Sequence, residues 1–159
     1  EVVGVGSIKY SFLNISPKSY LAFDLDKSIT FEGDSGPYLQ YTYARANKIV
    51  TKAKEDNLTV DPESVTTNTG FKEQELEVLR QLEQFDDILL EAAKNLSPNI
   101  LCTYLFDLAQ KYNSFYRDVP ILSEENIQPK MFRIELSASV SHVLQRGLYL
   151  LGIKTVDTM

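Results

Sequence analysis

The chain of 159 residues has one cysteine, one histidine and fewer basic than acidic side chains, 16 against 22. Each shortage removes a class of protein. Cys102 has no second thiol to pair with and sits in an apolar helical pattern, so no internal disulfide staples the fold, and a cytosolic setting is expected. The same isolation excludes a zinc staple within the chain. His142, inside the last helical stretch, has no serine elbow or partner acid at recognisable spacing. That excludes a hydrolase triad and leaves a structural histidine as the expectation. No apolar run approaches a membrane span of about 20 residues, and no basic-then-apolar leader suggests secretion. The net charge of −6 argues against a protein that holds nucleic acid by bulk neutralisation of phosphates; any RNA has to be held by local features.

What is present is enough for one hydrophobic core, with 43% hydrophobic and 24% charged residues, as in ordinary globular domains. Residues 2–13 read as a short helix with Val3, Val5, Ile8, Phe12 and Leu13 apolar, weakened by Gly4 and Gly6. Those two glycines lack the third glycine and the flanking elements of a dinucleotide fingerprint. Alternation from Leu21 to Leu25 suggests a short extended piece, and Asp24 and Asp26 read as a cap and a solvated side chain rather than a metal site. After a long first helix, residues 56–70 read as a connecting loop. Lys72 to Gln84 returns to helical spacing through Leu76, Leu79 and Leu82, with an acidic face read as solvated. A further helix from about Asp86 carries Ile88, Leu89, Ala92, Ala93 and Leu96, and Ser97 with Pro98 closes it and caps the next. The strongest periodicity runs from Pro98 to Val119, where Leu101, Tyr104, Leu105, Leu108, Tyr112, Phe115 and Val119 share one face, with Asn113 and Tyr116 on its shoulder and Arg117 beside them, placed for phosphate or solvent. The last helix, after Pro129, has Phe132, Leu136, Val140, Val143, Gly147 and Leu151 inward and small Ser137, Ala138, Ser139 and Ser141 for close approach. Gly152 stops it. No strand majority, internal repeat or low-complexity tract appears, and the architecture is an all-α antiparallel helix bundle of five or six helices.

The stretch from Gly36 to Lys52 carries two stripes. Ser35 or Gly36 caps it and Pro37 suits its first turn. Leu39, Tyr43, Ala46, Val50 and Ala53 form a core face at about 100° per residue. Tyr38, Tyr41, Arg45, Lys48 and Lys52 follow at spacings of three or four along another side. Rings that stack and cations that meet phosphates suit single-stranded RNA. Half-core tyrosines and solvated cations at a helix C-terminus are the ordinary structural alternative for the same pattern.

Gly36-Pro37-Tyr38-Leu39-Gln40-Tyr41 with Ala44-Arg45 resembles the segment opening the α-helical anticodon-binding domain of arginyl-tRNA synthetases, a domain type named after a DALR motif. The similarity continues on both sides. Val3-Gly4-Val5-Gly6-Ser7-Ile8-Lys9-Tyr10 and Phe23-Asp24-Leu25-Asp26 are similar to the run before that domain, Leu105 to Tyr116 to its central helix, and Gly147-Leu148-Tyr149-Leu150-Leu151-Gly152-Ile153 through Met159 to its carboxyl end. The resemblance implies the helical bundle of class I synthetase anticodon-binding domains over residues 34–159, preceded over residues 1–33 by a segment linking it to the catalytic side. An initial Glu1 in place of methionine fits a segment of something longer.

The resemblance also implies roles. Such a bundle grips the anticodon stem-loop of its arginine tRNA, splays the bases and takes the middle cytosine into a pocket; carried over residue by residue, this implicates Tyr38, Arg45, Tyr116 and Met159. Tyr41 and Lys48 from the basic-aromatic stripe, and Asn113 and Arg117 from the central helix, complete the expected RNA site. No catalytic, cofactor or metal residue is expected in this segment, since the His-Ile-Gly-His and Lys-Met-Ser-Lys-Ser type signatures are both missing. ATP with Mg, and the ligase activity, are implied for an upstream catalytic domain of the same protein, in the cytoplasm, with no membrane partner. Three departures from the family pattern stand out: Asp34 in place of a frequent asparagine, Thr42 in place of a small alanine, and Thr158 in place of an arginine, which leaves the chain end without that charge for a phosphate. The competing reading is a helical protein-interaction module that shares the fold without binding RNA. Under it the tyrosines are buried in core contacts and another apolar patch is exposed; under the RNA reading Tyr38, Arg45 and Tyr116 converge on one open pocket near Met159.

Overall fold

The computed structural model describes residues 1–20, 24–58 and 70–157. Among the described residues seven helical segments stand in order: α1 Val2–Leu13, α2 Leu25–Ser28, α3 Gly36–Glu55, α4 Glu73–Glu83, α5 Phe85–Asn95, α6 Pro98–Asp118 and α7 Ile127–Leu150, with α2 a single turn. There is no strand among the described residues. The all-α bundle expected from periodicity is therefore the architecture. Of the extended piece expected over residues 21–25, residues 21–23 lie outside the described residues, and Leu25 already begins α2. The connecting loop of residues 56–70 has residues 59–69 outside them as well.

The central helix α6 behaves as its period requires. Leu101, Tyr104, Leu105, Leu108, Tyr112, Phe115 and Val119 are all buried, with α3, α4, α5 and α7 packed around them. On α3, Leu39, Tyr43, Ala46 and Ala53 are buried as expected, but Ile49 is buried and Val50 only half-buried. The Ser35 hydroxyl accepts the Tyr38 N–H at 3.3 Å, so Ser35 is the cap, and Pro37 fills the first turn. Ser97 stands at the start of α6 without capping it; its hydroxyl donates to the Asn95 carbonyl at 3.1 Å instead. At its other end α5 closes on Leu96, which is left-handed at φ 51° and 83% exposed rather than in the core. Gly152, at φ 70°, ends α7 as expected, with the Ile153 N–H reaching back to the Leu148 carbonyl at 2.8 Å, a reversal that an L side chain disfavours.

Three faces differ from the periodicity. On α1 the buried residues are Gly6, Ser7 and Tyr10, while Val2, Val5, Ile8 and Phe12 are exposed. The tyrosine wins because its hydroxyl finds partners inside, donating to Asp34 Oδ1 at 2.6 Å and lying 3.2 Å from the Cys102 carbonyl. On α4 the buried stripe is Glu75, Val78 and Gln81, one position round from the three leucines, which are half-buried. The acidic face is thus not all solvated. Glu75 is 3% exposed and Arg133, on α7, 5%. Arg133 Nε donates to Glu75 Oε1 at 2.7 Å, while Nη1 donates to the Pro120 carbonyl at 2.8 Å and to Glu124. One guanidinium therefore ties α4, α7 and the loop between α6 and α7. The Asn126 N–H first, and then Arg133, hold the Glu124 carboxyl below its usual range. On α7 the buried set is Ile134, Leu136, Val140, Leu144, Gly147 and Leu148, with Ser137 and Ser141, while Phe132 and Val143 lie half-buried at its edge. Burial also holds Cys102 as a free thiol with its pKa pushed up to about 12.

Two glycines mark close approaches. A Cβ on Gly36 would stand 2.8 Å from the Gly6 carbonyl oxygen, so α1 and the start of α3 touch backbone to backbone. A Cβ on Gly147 would stand 2.5 Å from Leu105 Cδ2, within a fully buried leucine. Gly147→Ala gains helix propensity, about 1 kcal/mol, but forces Leu105 out of place at a cost of about 1–3 kcal/mol. The expected outcome is a net loss or near balance, and denaturant unfolding measures it; a gain of the full propensity term would show that α6 and α7 yield freely.

Candidate nucleic-acid interface

The basic-aromatic stripe of α3 meets the shoulder of α6 and builds a polar constellation at the surface. Tyr41 and Arg45 lie four residues apart on α3, and Arg45 Nη2 donates to the Tyr41 hydroxyl at 2.7 Å. The guanidinium carbon is 4.6 Å from the Tyr41 ring centroid and 4.8 Å from that of Tyr116 on α6. Arg45 is therefore stacked against two rings, one from each helix, at distances where the ring quadrupole attracts a cation. Tyr116 is 39% and Tyr41 36% exposed, so both side chains reach solvent beside Arg45.

Asn113 organises the rest. Its Oδ1 accepts from Arg45 Nη1, while its Nδ2 donates to the Tyr38 hydroxyl at 3.0 Å and to Thr42 Oγ1 at 2.9 Å. Every hydrogen of the amide nitrogen is used, and an inverted amide would point N–H groups at a cation, so the orientation is fixed by charge. Thr42, a departure from the family pattern, leaves α3 continuous and adds an anchor: its hydroxyl donates to the Tyr38 carbonyl at 2.9 Å and accepts from Asn113. Tyr38 is half-buried, its ring 5.7 Å from that of Phe106 and tilted by 58°. Asp34, the other departure within the described residues, accepts from Tyr10 and, at 2.7 Å, from Asn14 Nδ2, joining α1 to the loop before α3.

Two recesses flank Arg45. One, of about 410 Å³, is lined by Phe31, Tyr38, Tyr41, Arg45, Asn113, Tyr116 and Arg117. The other, of about 390 Å³, is shared by Tyr41, Arg45, Lys48, Thr51, Tyr116 and Asp157 with Ala44 and Asn47. Of the expected residues, Tyr38, Tyr41, Arg45, Asn113, Tyr116 and Arg117 thus share one opening, and Lys48 joins it on the far side of Arg45. Met159 and Thr158 lie outside the described residues. Lys52, also on the stripe, is exposed and lines neither recess. Arg117 is committed to its neighbour: Nε and Nη2 donate to the Asp118 carboxylate at 2.8 and 2.9 Å, which pushes the Arg117 pKa up and the Asp118 pKa down. It is a screened surface pair that phosphate can compete for.

The stretch after Gly152 borders the second recess. It is held along α3 by Gln40, whose Nε2 donates to the Lys154 carbonyl at 2.7 Å, and by Tyr43, whose hydroxyl donates to Asp157 Oδ1 at 3.3 Å. Sequence reasoning missed Phe31, Phe106, Thr42, Gln40 and Asp157 as parts of this region. Phe31 alone carries a signal, an aromatic ring in the otherwise polar run Thr30 to Asp34; the others are ordinary helical or terminal residues whose neighbours come from distant parts of the chain. His142, expected as a structural histidine, is solvent-exposed on the outer face of α7, because the buried arc of that helix passes through Ser141 and Leu144 and leaves it outside.

Comparison with known proteins places the chain and its fold in a family. The DALR anticodon binding domain family matches residues 39–159. An arginine-tRNA ligase of Parabacteroides distasonis is 38% identical over the whole chain, and one of Flavobacterium psychrophilum 37%. The chain spans about a quarter of their length, 26% in each case. Among solved structures, Thermus thermophilus arginyl-tRNA synthetase superposes on 99% of the chain with a TM-score of 0.86 and 33% identity, and 27% of that chain is covered. With three quarters of its length matched and the helical order in place, this chain belongs to the DALR anticodon binding domain family.

Proposed function

We propose that this domain binds the anticodon stem-loop of an arginine tRNA and receives an unstacked anticodon base beside Arg45. The observation that carries this reading is the placement of Tyr38, Tyr41, Arg45, Asn113 and Tyr116 around one opening, with two rings from different helices exposed there. An unpaired base has two faces and a pairing edge. Tyr41 and Tyr116 offer ring faces, and the Arg45 guanidinium and Asn113 amide offer hydrogen bonds to an edge or a phosphate. The Arg45 side chain, now stacked where a base would stack, keeps the opening polar and solvated until RNA replaces one of its ring contacts. Met159, implicated through the resemblance, lies outside the described residues.

On this reading the domain serves an arginine-tRNA ligase whose catalytic part lies in the length of the relatives that this chain does not span. Activation of arginine, with ATP and Mg, belongs to that part; the residues here bind and orient RNA. Residues 1–33 then form the segment joining the catalytic side to the bundle of residues 34–159, and the cytoplasm is the compartment implied. Among the described residues no helix is long and apolar enough to cross a membrane. The rival reading, a protein-interaction module, requires the tyrosines to serve the core and an apolar patch to stand exposed; Tyr38 does pack against the core and α1 presents Val5, Ile8 and Phe12 to solvent, but Tyr41 and Tyr116, beside Arg45, are exposed.

The test is binding of the protein to an arginine-tRNA anticodon stem-loop and to one with its middle cytosine changed, at two salt concentrations. The expected result is weaker binding of the altered loop by roughly tenfold or more, the size of about one lost stacking or edge contact of about 1–3 kcal/mol. Equal binding of both loops would refute base recognition.

A further inference from the structure

A second groove, of about 620 Å³, opens between the outer face of α7 and the turn after it, lined by His142, Gln145, Arg146, Tyr149 and the backbone stretch from Gly152 to Thr155. We propose that it is a second contact for the same RNA, taking a phosphate on Arg146 and Lys154 and an unpaired base on Tyr149; this rests on the reading of the domain as an anticodon-loop binder.

The side chains argue for that ligand. In a protein of net charge −6, no carboxylate lines this groove. Arg146 and Lys154 are exposed, and neither enters any of the ion pairs formed among the described residues. Tyr149 is 70% exposed, with the Arg146 guanidinium carbon 5.9 Å from its ring centroid. A large exposed ring beside unpaired cations is the pairing that single strands use, a stacking platform next to a phosphate contact. Lys154 also borders a smaller recess whose lining includes Glu1 and Lys9.

Position supports the same strand reaching both sites. Thr155 lines this groove and Asp157 lines the recess beside Lys48; two residues of chain span at most about 7 Å. Tyr43 bridges the two, its hydroxyl donating to Asp157 and accepting from Gln145 Nε2 at 3.3 Å. Asp157 is the carboxylate in the lining of the recess beside Lys48, and the two cations of the groove and Lys48 offset it.

The experiment uses the same anticodon stem-loop and its altered-base partner with three variants: Arg146→Ala with Lys154→Ala, Tyr149→Ala, and, as a control of equal charge, Lys18→Ala with Lys94→Ala. All five side chains are exposed, so folding is checked by the melt and expected to be unchanged. The first variant is expected to bind several-fold more weakly at low salt, with a log-log salt slope shallower by about 1.4–1.8 for two lost phosphate contacts. Tyr149→Ala is expected to lose roughly tenfold. Both keep the wild-type preference for the unaltered loop, and the control keeps wild-type affinity. If the groove variants match wild type while the base preference persists, the groove contact is wrong and the anticodon reading stands. If the control loses as much as the first variant, the effect is bulk charge and the groove is not a site. If wild type binds neither loop, both readings fall together.

Discussion

Arg133→Met is expected to lower the stability of the bundle by about 3–5 kcal/mol, the cost of leaving a buried carboxylate without its partner. The side chain lost is close in volume, so the cavity is small. What remains is the difficulty. Glu75 is 3% exposed, and one of its oxygens also accepts the Lys72 N–H at 2.7 Å at the start of α4. It cannot turn outward without uncapping that helix, and the Pro120 carbonyl loses its donor in the same step. For a domain of this size the loss corresponds to a fall in Tm of roughly 6–20 °C. Denaturant melts of Arg133→Met and of the double variant Arg133→Met, Glu75→Gln check the mechanism. The neutral amide is expected to recover part of the loss, since a buried amide costs far less than a buried charge. A single-variant loss below about 1 kcal/mol would mean that water reaches Glu75, and that the pair behaves like a surface one.

Tyr116→Ala is expected to weaken binding of the anticodon stem-loop by about 1–3 kcal/mol, five- to 150-fold, and to erase most of the preference for the middle cytosine. The ring is shared by both recesses around Arg45 and is the α6 half of the stack on that guanidinium. Its ring is 39% exposed but also lies 6.3 Å from that of buried Tyr112, so the melt is expected to fall by about 1–2 kcal/mol, and binding is compared at a temperature where both proteins are folded. Tyr116→Phe retains the ring and is expected to keep most of the affinity, which separates stacking from any bond to the hydroxyl. The opposite pattern, a large fall in stability with RNA binding intact, is what the structural alternative for these tyrosines requires.

How far the sequence disclosed this molecule depended on how far apart in the chain the interacting groups lie. The face of α6 was fully legible, because seven apolar residues at a regular period leave one way to bury them. The end of α7 at Gly152 and the Ser35 cap were legible for the same reason: each is a local rule satisfied within a few residues. The buried stripe of α4 was not. Glu75 goes inside because a cation 58 residues later meets it, and no periodicity carries that information. Tyr10 takes the inner face of α1 because Asp34 and the Cys102 carbonyl await its hydroxyl, so the exposed valines and Ile8 are displaced by a residue that hydropathy ranks below them. The stripe of Tyr38, Tyr41, Arg45 and Lys48 could be read directly from helical spacing. That Thr42 and Asn113 would lock its geometry, and Phe31 and Asp157 would border it, depends on three-dimensional neighbours. His142 shows the reverse error: an amphipathic helix has two faces, and its sequence neighbours did not say which one it occupied.

The backbone contact between Gly6 and Gly36 has a mechanical side. With the Gly6 carbonyl against Gly36, Tyr10 Cβ and the Gln40 amide packed at the same contact, and Asp34 pinned to Tyr10 and Asn14, α1 and the first turn of α3 leave no room for a side chain at either glycine. Tyr38 stands two residues beyond that joint. The Tyr38 hydroxyl that Asn113 Nδ2 meets at 3.0 Å is thus carried by a turn whose position is set at that contact, so the mouth of the recess is referenced to α1 as well as to α6.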